Sequence, residues 1–311
     1  MRKNEVKIIY NEIHCWQKVT NWYEKFGYNF YYYFLKIREF LTRKPTFIHF
    51  VYETNTQCTL RCKECHSYMP YFTKESHYMT NFDDFKNEID KLLKSVDLIL
   101  SFRLQGGETL LIKDLAKIIN YACSKKQIQH MQIISNGTIV PSQELLSAMN
   151  NPKVILCLSD YSLNEDVAPK CKHEEIIKLL KENNVNYRHT KSFGGDYWVA
   201  KPTIINNEII DKEFSIKNLK ACYCFGIPKS YILFCGKIFI CAPQVYYWKT
   251  NPDFKISKED FVDVINTTTK NLSPKIRKFT NKKYFDLCAR CNTHQIKDCK
   301  MIPGEQLKAE Q

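Results

Sequence analysis

Cys58-Thr-Leu-Arg-Cys62-Lys-Glu-Cys65 sets three cysteines in one short stretch, at separations of four and three residues. Thiolates crowded into one loop are the donor set of a soft metal: zinc, copper(I) or an iron–sulfur cluster. A closed structural zinc site takes four ligands, and no fourth cysteine or aspartate follows at once. On a four-iron cubane, three thiolates leave one iron open to a small molecule. Upstream, Phe47-Ile-His-Phe-Val-Tyr-Glu-Thr54 is aromatic and β-branched and reads as a strand, so the cysteines sit in a loop at a strand end. Leu98-Ile-Leu-Ser-Phe-Arg-Leu104 reads as a second strand, ending in Gln105-Gly106-Gly107-Glu108.

This order, CxxxCxxC after one strand and Gly-Gly-Glu after the next, resembles the radical SAM superfamily. The resemblance implies that Cys58, Cys62 and Cys65 hold a four-iron–four-sulfur cluster. Its open iron would be chelated by the amino and carboxylate groups of S-adenosylmethionine. It also implies that Gly106, Gly107 and Glu108 lie against that cofactor, at its methionine amino group. The shared first step of the family is one-electron cleavage of the sulfonium, giving a 5′-deoxyadenosyl radical that takes hydrogen from a substrate carbon. Glu64 stands where the family usually has an aromatic residue, a departure at the usual adenine contact.

The whole chain fits such an enzyme. At 311 residues it holds one large domain or slightly more. Fourteen cysteines, with no apolar stretch after Met1-Arg-Lys-Asn-Glu5, argue against a secreted disulfide scaffold and for a reducing cytoplasm. No apolar run reaches the roughly 20 residues of a membrane span. The net charge of +13 favours anionic partners, either a phosphorylated substrate or an acidic flavodoxin- or ferredoxin-type electron donor. The basic residues form no recognised nucleic-acid motif, so no nucleic acid is expected.

Three regions follow from the patterning. In residues 1–46, Trp16, Val19, Tyr23, Phe26, Phe30, Tyr33, Ile37 and Phe40 recur every three or four positions, a helical stripe interleaved with lysine and arginine. The stripe is expected to pack across an open barrel edge; lying on an anionic membrane surface is the alternative. From 47 to about 190, strands alternate with amphipathic helices, which means a parallel sheet with helices outside. Five or six such units read as an open partial (β/α)6 TIM-like barrel. Such folds work at the C-terminal ends of their strands, where Ser135, Asn136, Ser159 and Asp160 all fall. By the resemblance, these residues contact the cofactor's ribose or the substrate. Cys123 and Cys157 read as core. Residues 190–220 read as a linker over the barrel mouth with little helical order, Tyr197 and Trp198 facing substrate.

A second cysteine group occupies 221–311. Tyr231 to Cys241 alternates around Gly236 as a β-hairpin, and Cys288-Ala-Arg-Cys291 follows far downstream. This resembles the auxiliary-cluster domain called SPASM, or twitch in its short form. It implies a second four-iron–four-sulfur cluster on Cys224, Cys241, Cys288 and Cys291, with Cys222 a rival for the first place. Structural zinc fits the same spacing. Cys235 and Cys299 are left over, and a free thiol near the site would serve if the reaction needs a hydrogen-atom donor. Several stretches, including His66-Ser-Tyr-Met-Pro-Tyr71 and Ile302-Pro-Gly-Glu-Gln306, resemble radical SAM proteins of surface-polysaccharide and aminoglycoside-type biosynthesis. That implies a sugar, cyclitol or nucleotide-sugar substrate. A peptide maturase, a glycyl-radical activase and a non-catalytic zinc scaffold are the rival readings.

Overall fold

The computed structural model describes residues 33–190, 198–204, 211–222, 230–254, 256–296 and 299–308. Its chain runs α1 (33–42), β1 (Thr46–Glu53), α2 (Phe82–Leu93), β2 (Leu98–Gln105), α3 (Leu115–Ser124) and β3 (Ile128–Ser135). It continues through α4 (Gln143–Met149), β4 (Val154–Ser159), α5 (His173–Glu182), β5 (Tyr187–Thr190) and β6 (Trp198–Val199). The remainder is α6 (Lys212–Ala221), β7 (Ser230–Phe234), β8 (Lys237–Phe239), α7 (Ala242–Thr250), β9 (Val262–Asp263), α8 (Thr269–Thr280), α9 (Asp286–Ala289), α10 (Thr293–Ile296) and β10 (Lys300–Met301).

Local chemistry makes these elements. Asn81 caps α2 by accepting the Asp84 amide, and Phe85, Ile89 and Leu92 form its fully buried face. Burying each stabilises the fold by roughly 1.5–3 kcal/mol. Every residue of β1 is buried, as a strand covered on both faces requires. The strands line up as β5-β4-β3-β2-β1-β7-β8-β9, with β1–β5 and β7 forming a parallel run and the β7–β8 and β8–β9 pairs antiparallel. The architecture is thus the expected open α/β sheet.

The two faces of this sheet differ in kind. Phe50, Tyr52, Phe102, Leu104, Met131, Ile133, Leu156 and Leu158 belong to the main core, and Tyr52 meets Phe85 of α2 ring to ring at 4.9 Å. The alternate positions include a polar group: His49, Ser101 and His130 share one register layer, and Arg103 and Gln132, hydrogen-bonded at 2.9 Å, share the next with Val51. A polar inner face is what a barrel needs if a hydroxylated ligand is to enter it.

Three expectations change. The sixth parallel strand does not follow β5; it is β7, beside β1 on the opposite side of the sheet, so the C-terminal hairpin continues the barrel. Part of 190–220 is helical: Asp211 caps α6, accepting the Glu213 and Phe214 amides. And α1 is anchored not across a sheet edge but at the N-terminal ends of β1 and β2. Its Arg38 pairs with Asp97 at 2.6 Å, and its Glu39 accepts the Thr46 amide at 3.0 Å. The rest of the N-terminal stripe lies outside the described residues.

Candidate active site

The loop after β1 folds tightly: Cys65 N–H donates to the Cys62 carbonyl and Tyr68 N–H to that of Cys65. Cys62 is buried, Cys58 and Cys65 half-buried. Their surroundings push the free thiols upward, Cys58 to about 11 and Cys62 to about 12, with burial first and the neighbouring cysteines adding to it. A thiolate there needs compensating positive charge and N–H donors. The donors are present: Leu60 N and Asn136 Nδ2 each reach Cys58 Sγ at 3.5 Å, and Gln306 Nε2 reaches Cys62 Sγ at 3.4 Å. Soft donors with amides aimed at sulfur fit an iron–sulfur cluster, whose irons supply the charge.

The Gly-Gly-Glu turn holds this loop by its backbone. Gly107 N–H donates to the Asn55 carbonyl and Glu108 N–H to that of Gln57, tying the end of β2 to the segment leading into Cys58. A Cβ on Gly107 would lie 1.7 Å from the Gln57 oxygen, so only glycine allows this approach. Glu108 is fully buried and its carboxylate accepts the amides of Leu110 at 3.0 Å and Asn136 at 2.7 Å. Desolvation raises its pKa, and those donors oppose the rise. Glu108 therefore staples the ends of β2 and β3 together. Asn136 carries the link onward, its Nδ2 donating to Thr59 Oγ1 at 2.9 Å. Ser135 Oγ accepts the amide of Gly137.

Ser159 and Asp160 end β4 on the same rim. Asp160 accepts the Ser162 amide and stands 3.9 Å from His189 Nε2. Tyr161 is buried against the cysteine loop, its ring 5.8 Å from that of Trp198. Trp198 is thus placed beside the loop, while Tyr197 lies outside the described residues. Glu64 accepts the Lys201 amide at 3.0 Å, tethering the 198–204 segment to the loop; this is what a carboxylate does at that position. Cys235 is elsewhere, in the β7–β8 turn at φ 46°, among Phe234, Phe239 and Trp248.

Two further participants join the site, Cys171 without any signal in the sequence and the C-terminal segment through the Ile302–Gln306 stretch. Cys171 packs beside Cys58, Cys65 and Tyr161, its thiol 3.5 Å from the Asn136 carbonyl. The C-terminal segment forms an antiparallel bridge between Gln306 and Cys62. Lys63 N–H donates to the Glu305 carbonyl, Leu307 N–H to that of Arg61, and Arg61 N–H to Gln306 Oε1. The sequence signal is the resemblance of Ile302-Pro-Gly-Glu-Gln306, which does not say what the stretch contacts. A contact spanning 244 residues has no local pattern.

The second cysteine group gathers Cys222 after α6, Cys241 before α7, Cys288 on α9 and Cys291 beyond it around one small internal cavity with Leu219, Ile240 and Leu287. Burial raises the Cys241 and Cys288 thiols well above their ordinary value, and mutual repulsion adds to this. Asn218 Nδ2 braces the site, donating to the carbonyls of Cys288 and Cys291. Cys224 lies outside the described residues. Among the described residues, no three His, Cys, Asp or Glu side chains converge as ligands of a single metal ion do.

Residues 52–194 match the radical SAM superfamily. Over 174 residues the chain is 24% identical to the S-adenosylmethionine-dependent nucleotide dehydratase of Selenomonas ruminantium, covering 51% of this chain and 57% of that protein. The chain therefore spans little more than half the length of that curated relative. Among solved structures it is similar to BtrN in complex with AdoMet and 2-DOIA, with a TM-score of 0.48 and 13% identity over 81% of this chain and 96% of that one. It is also similar to native anSMEcpe with bound AdoMet and Cp18Cys peptide, with a TM-score of 0.47 and 13% identity over 83% and 93%.

Proposed function

We propose that the chain, whose residues 52–194 match the radical SAM superfamily, is a radical SAM enzyme that cleaves S-adenosylmethionine reductively. It then takes hydrogen from a sugar, cyclitol or nucleotide-sugar substrate. The observation that carries this reading is convergence on one rim: three sulfurs after β1, Glu108 after β2, Asn136 after β3 and Asp160 after β4, above a polar inner face. When bound, the cluster and S-adenosylmethionine supply a 5′-deoxyadenosyl radical.

The chain's own residues do the rest. Leu60, Asn136 and Gln306 direct N–H groups at the Cys58 and Cys62 sulfurs and stabilise thiolate charge. Tyr161, Trp198 and residues 303–307 wall the loop from water, which a carbon radical requires. Burial lowers His49 well below its usual range and His130 to about 4, so both are neutral hydrogen-bonding groups near pH 7. The positive charge of the inner face then comes from Arg103 and Arg188, which suits a phosphate among hydroxyls. The nucleotide dehydratase relative is consistent with a phosphorylated substrate. Cys222, Cys241, Cys288 and Cys291 would hold an auxiliary cluster that accepts an electron, and a flavodoxin- or ferredoxin-type protein would supply the first one.

Anaerobically reconstituted protein, reduced with dithionite, tests this. Deoxyadenosine formation is expected to rise when nucleotide sugars are supplied, more than with free sugars or peptides. Absence of any deoxyadenosine would remove the activity; stimulation by peptides alone would remove the substrate class.

A further inference from the structure

Helix α1 has two unlike faces. Inward, Leu35 is fully buried and Arg38 and Glu39 bind the starts of β2 and β1. Outward, Tyr33, Phe34, Ile37, Phe40 and Leu41 are 58, 43, 58, 65 and 72% exposed. Their spacing places them on one helical stripe. Among the described residues these are five of the eight large hydrophobics that stand exposed, so they form a patch and not a scatter.

The patch has a cationic border. Arg43, Lys44, Lys94, Lys270, Arg277 and Lys278 line an open groove of about 850 Å³ with no carboxylate among its lining residues. Phe40 shares the adjoining groove with Arg43, Lys44 and Arg277, and the Arg43 guanidinium lies 4.7 Å over the Phe40 ring. The nearby acids are engaged: Asp97 pairs with Arg38, Glu39 with Lys36 and the Thr46 amide, and Glu259 with Lys278 at 3.2 Å, which leaves the groove's other cations in excess. In the sequence, the same spacing continues upstream through Phe30, Phe26 and Tyr23.

We propose that this face docks on a bilayer rich in anionic lipid. Exposed aromatic and aliphatic side chains beside cations that outnumber the neighbouring acids match the acyl boundary and the charged headgroups at once. A second copy meeting the same face would bring like charges together, which argues against a dimer. Because α1 lies at the N-terminal ends of β1 and β2, docking leaves the cysteine rim directed away from the lipid.

Co-sedimentation of the full chain with vesicles tests this, comparing phosphatidylcholine alone with phosphatidylcholine containing roughly a third phosphatidylglycerol. Binding is expected only to the anionic vesicles and is expected to fall as salt rises. Phe40→Glu with Leu41→Glu should lower it at least tenfold. Lys270→Glu with Lys278→Glu should lower it severalfold and flatten the salt dependence. Both variants should keep the parent's circular dichroism and deoxyadenosine formation. The proposal falls if the full chain ignores anionic vesicles, whether because residues 1–32 cover the face or because a dimer does. A concentration-dependent dimer lost in the Phe40→Glu/Leu41→Glu variant would identify the second case. Undiminished vesicle binding by that variant would also overturn it.

Discussion

The two cysteine groups solve different problems. Cys58, Cys62 and Cys65 come from one loop, number three, and sit on a rim where N–H groups from β3 and the C-terminus reach the sulfurs. Among the described residues, Cys222, Cys241, Cys288 and Cys291 come from separate places along the chain and make a set of four. They enclose their cavity with leucine, isoleucine and proline. A set with one donor missing leaves a position for chemistry; a set of four closes it and joins distant segments. The contrast teaches where reactivity and where clamping should reside.

The sharpest test removes each set in turn. Changing Cys58, Cys62 and Cys65 to Ala should abolish deoxyadenosine formation and remove about four irons. Changing Cys288 and Cys291 to Ala should also lower iron while leaving cleavage in the absence of substrate. Iron analysis with deoxyadenosine quantification checks both, and equal loss of cleavage in the two variants would erase the distinction.

A finer cut decides the fourth closing donor. Cys222 lines the cavity, so Cys222→Ser is expected to lose auxiliary iron, and Cys224→Ser is the rival variant to set beside it. Iron content and the electron paramagnetic resonance of the reduced proteins separate the two; the reverse pattern would return Cys224 to the ligand set.

The seam between the regions titrates. Glu88 on α2 lies near the hairpin glycine Gly236, and burial raises its carboxyl to about 7. Between about pH 4.5 and 7 the unfolded chain has lost this proton while the folded chain keeps it, so stability falls as pH rises through that window. Glu88→Gln should therefore gain on the parent across the window, by on the order of 2 kcal/mol, and hold that gain above it. Denaturant unfolding at pH 5 and 7.5 measures it, and a pH-independent difference would contradict the assignment.

The smallest effect belongs to the tail. Gln306→Leu removes one N–H donor from Cys62 Sγ, a bond worth about 0.5–1.5 kcal/mol. The expected result is a lowered midpoint potential of the first cluster with its iron retained, read by redox titration. An unmoved potential would leave Gln306 as a backbone strap only.

Much of this was legible in advance, for a physical reason. The alternation of strands and helices from Phe47 to Thr190 repeats at short range, and the cysteine triplet is a single loop, so periodicity and spacing were enough to place both on a barrel rim. The Asp211 cap of α6 is also local, but the stretch around it carries little helical pattern to announce it. The rest depends on which surfaces meet after long excursions. Only the tertiary structure put β7 beside β1, brought Gln306 to Cys62 and Lys201 to Glu64, and set Cys222 among the C-terminal sulfurs. It alone turned the apolar stripe of α1 outward. Spacing along a chain determines what a segment can be; which neighbour it meets is settled by the packing of the whole core, and no local pattern encodes that.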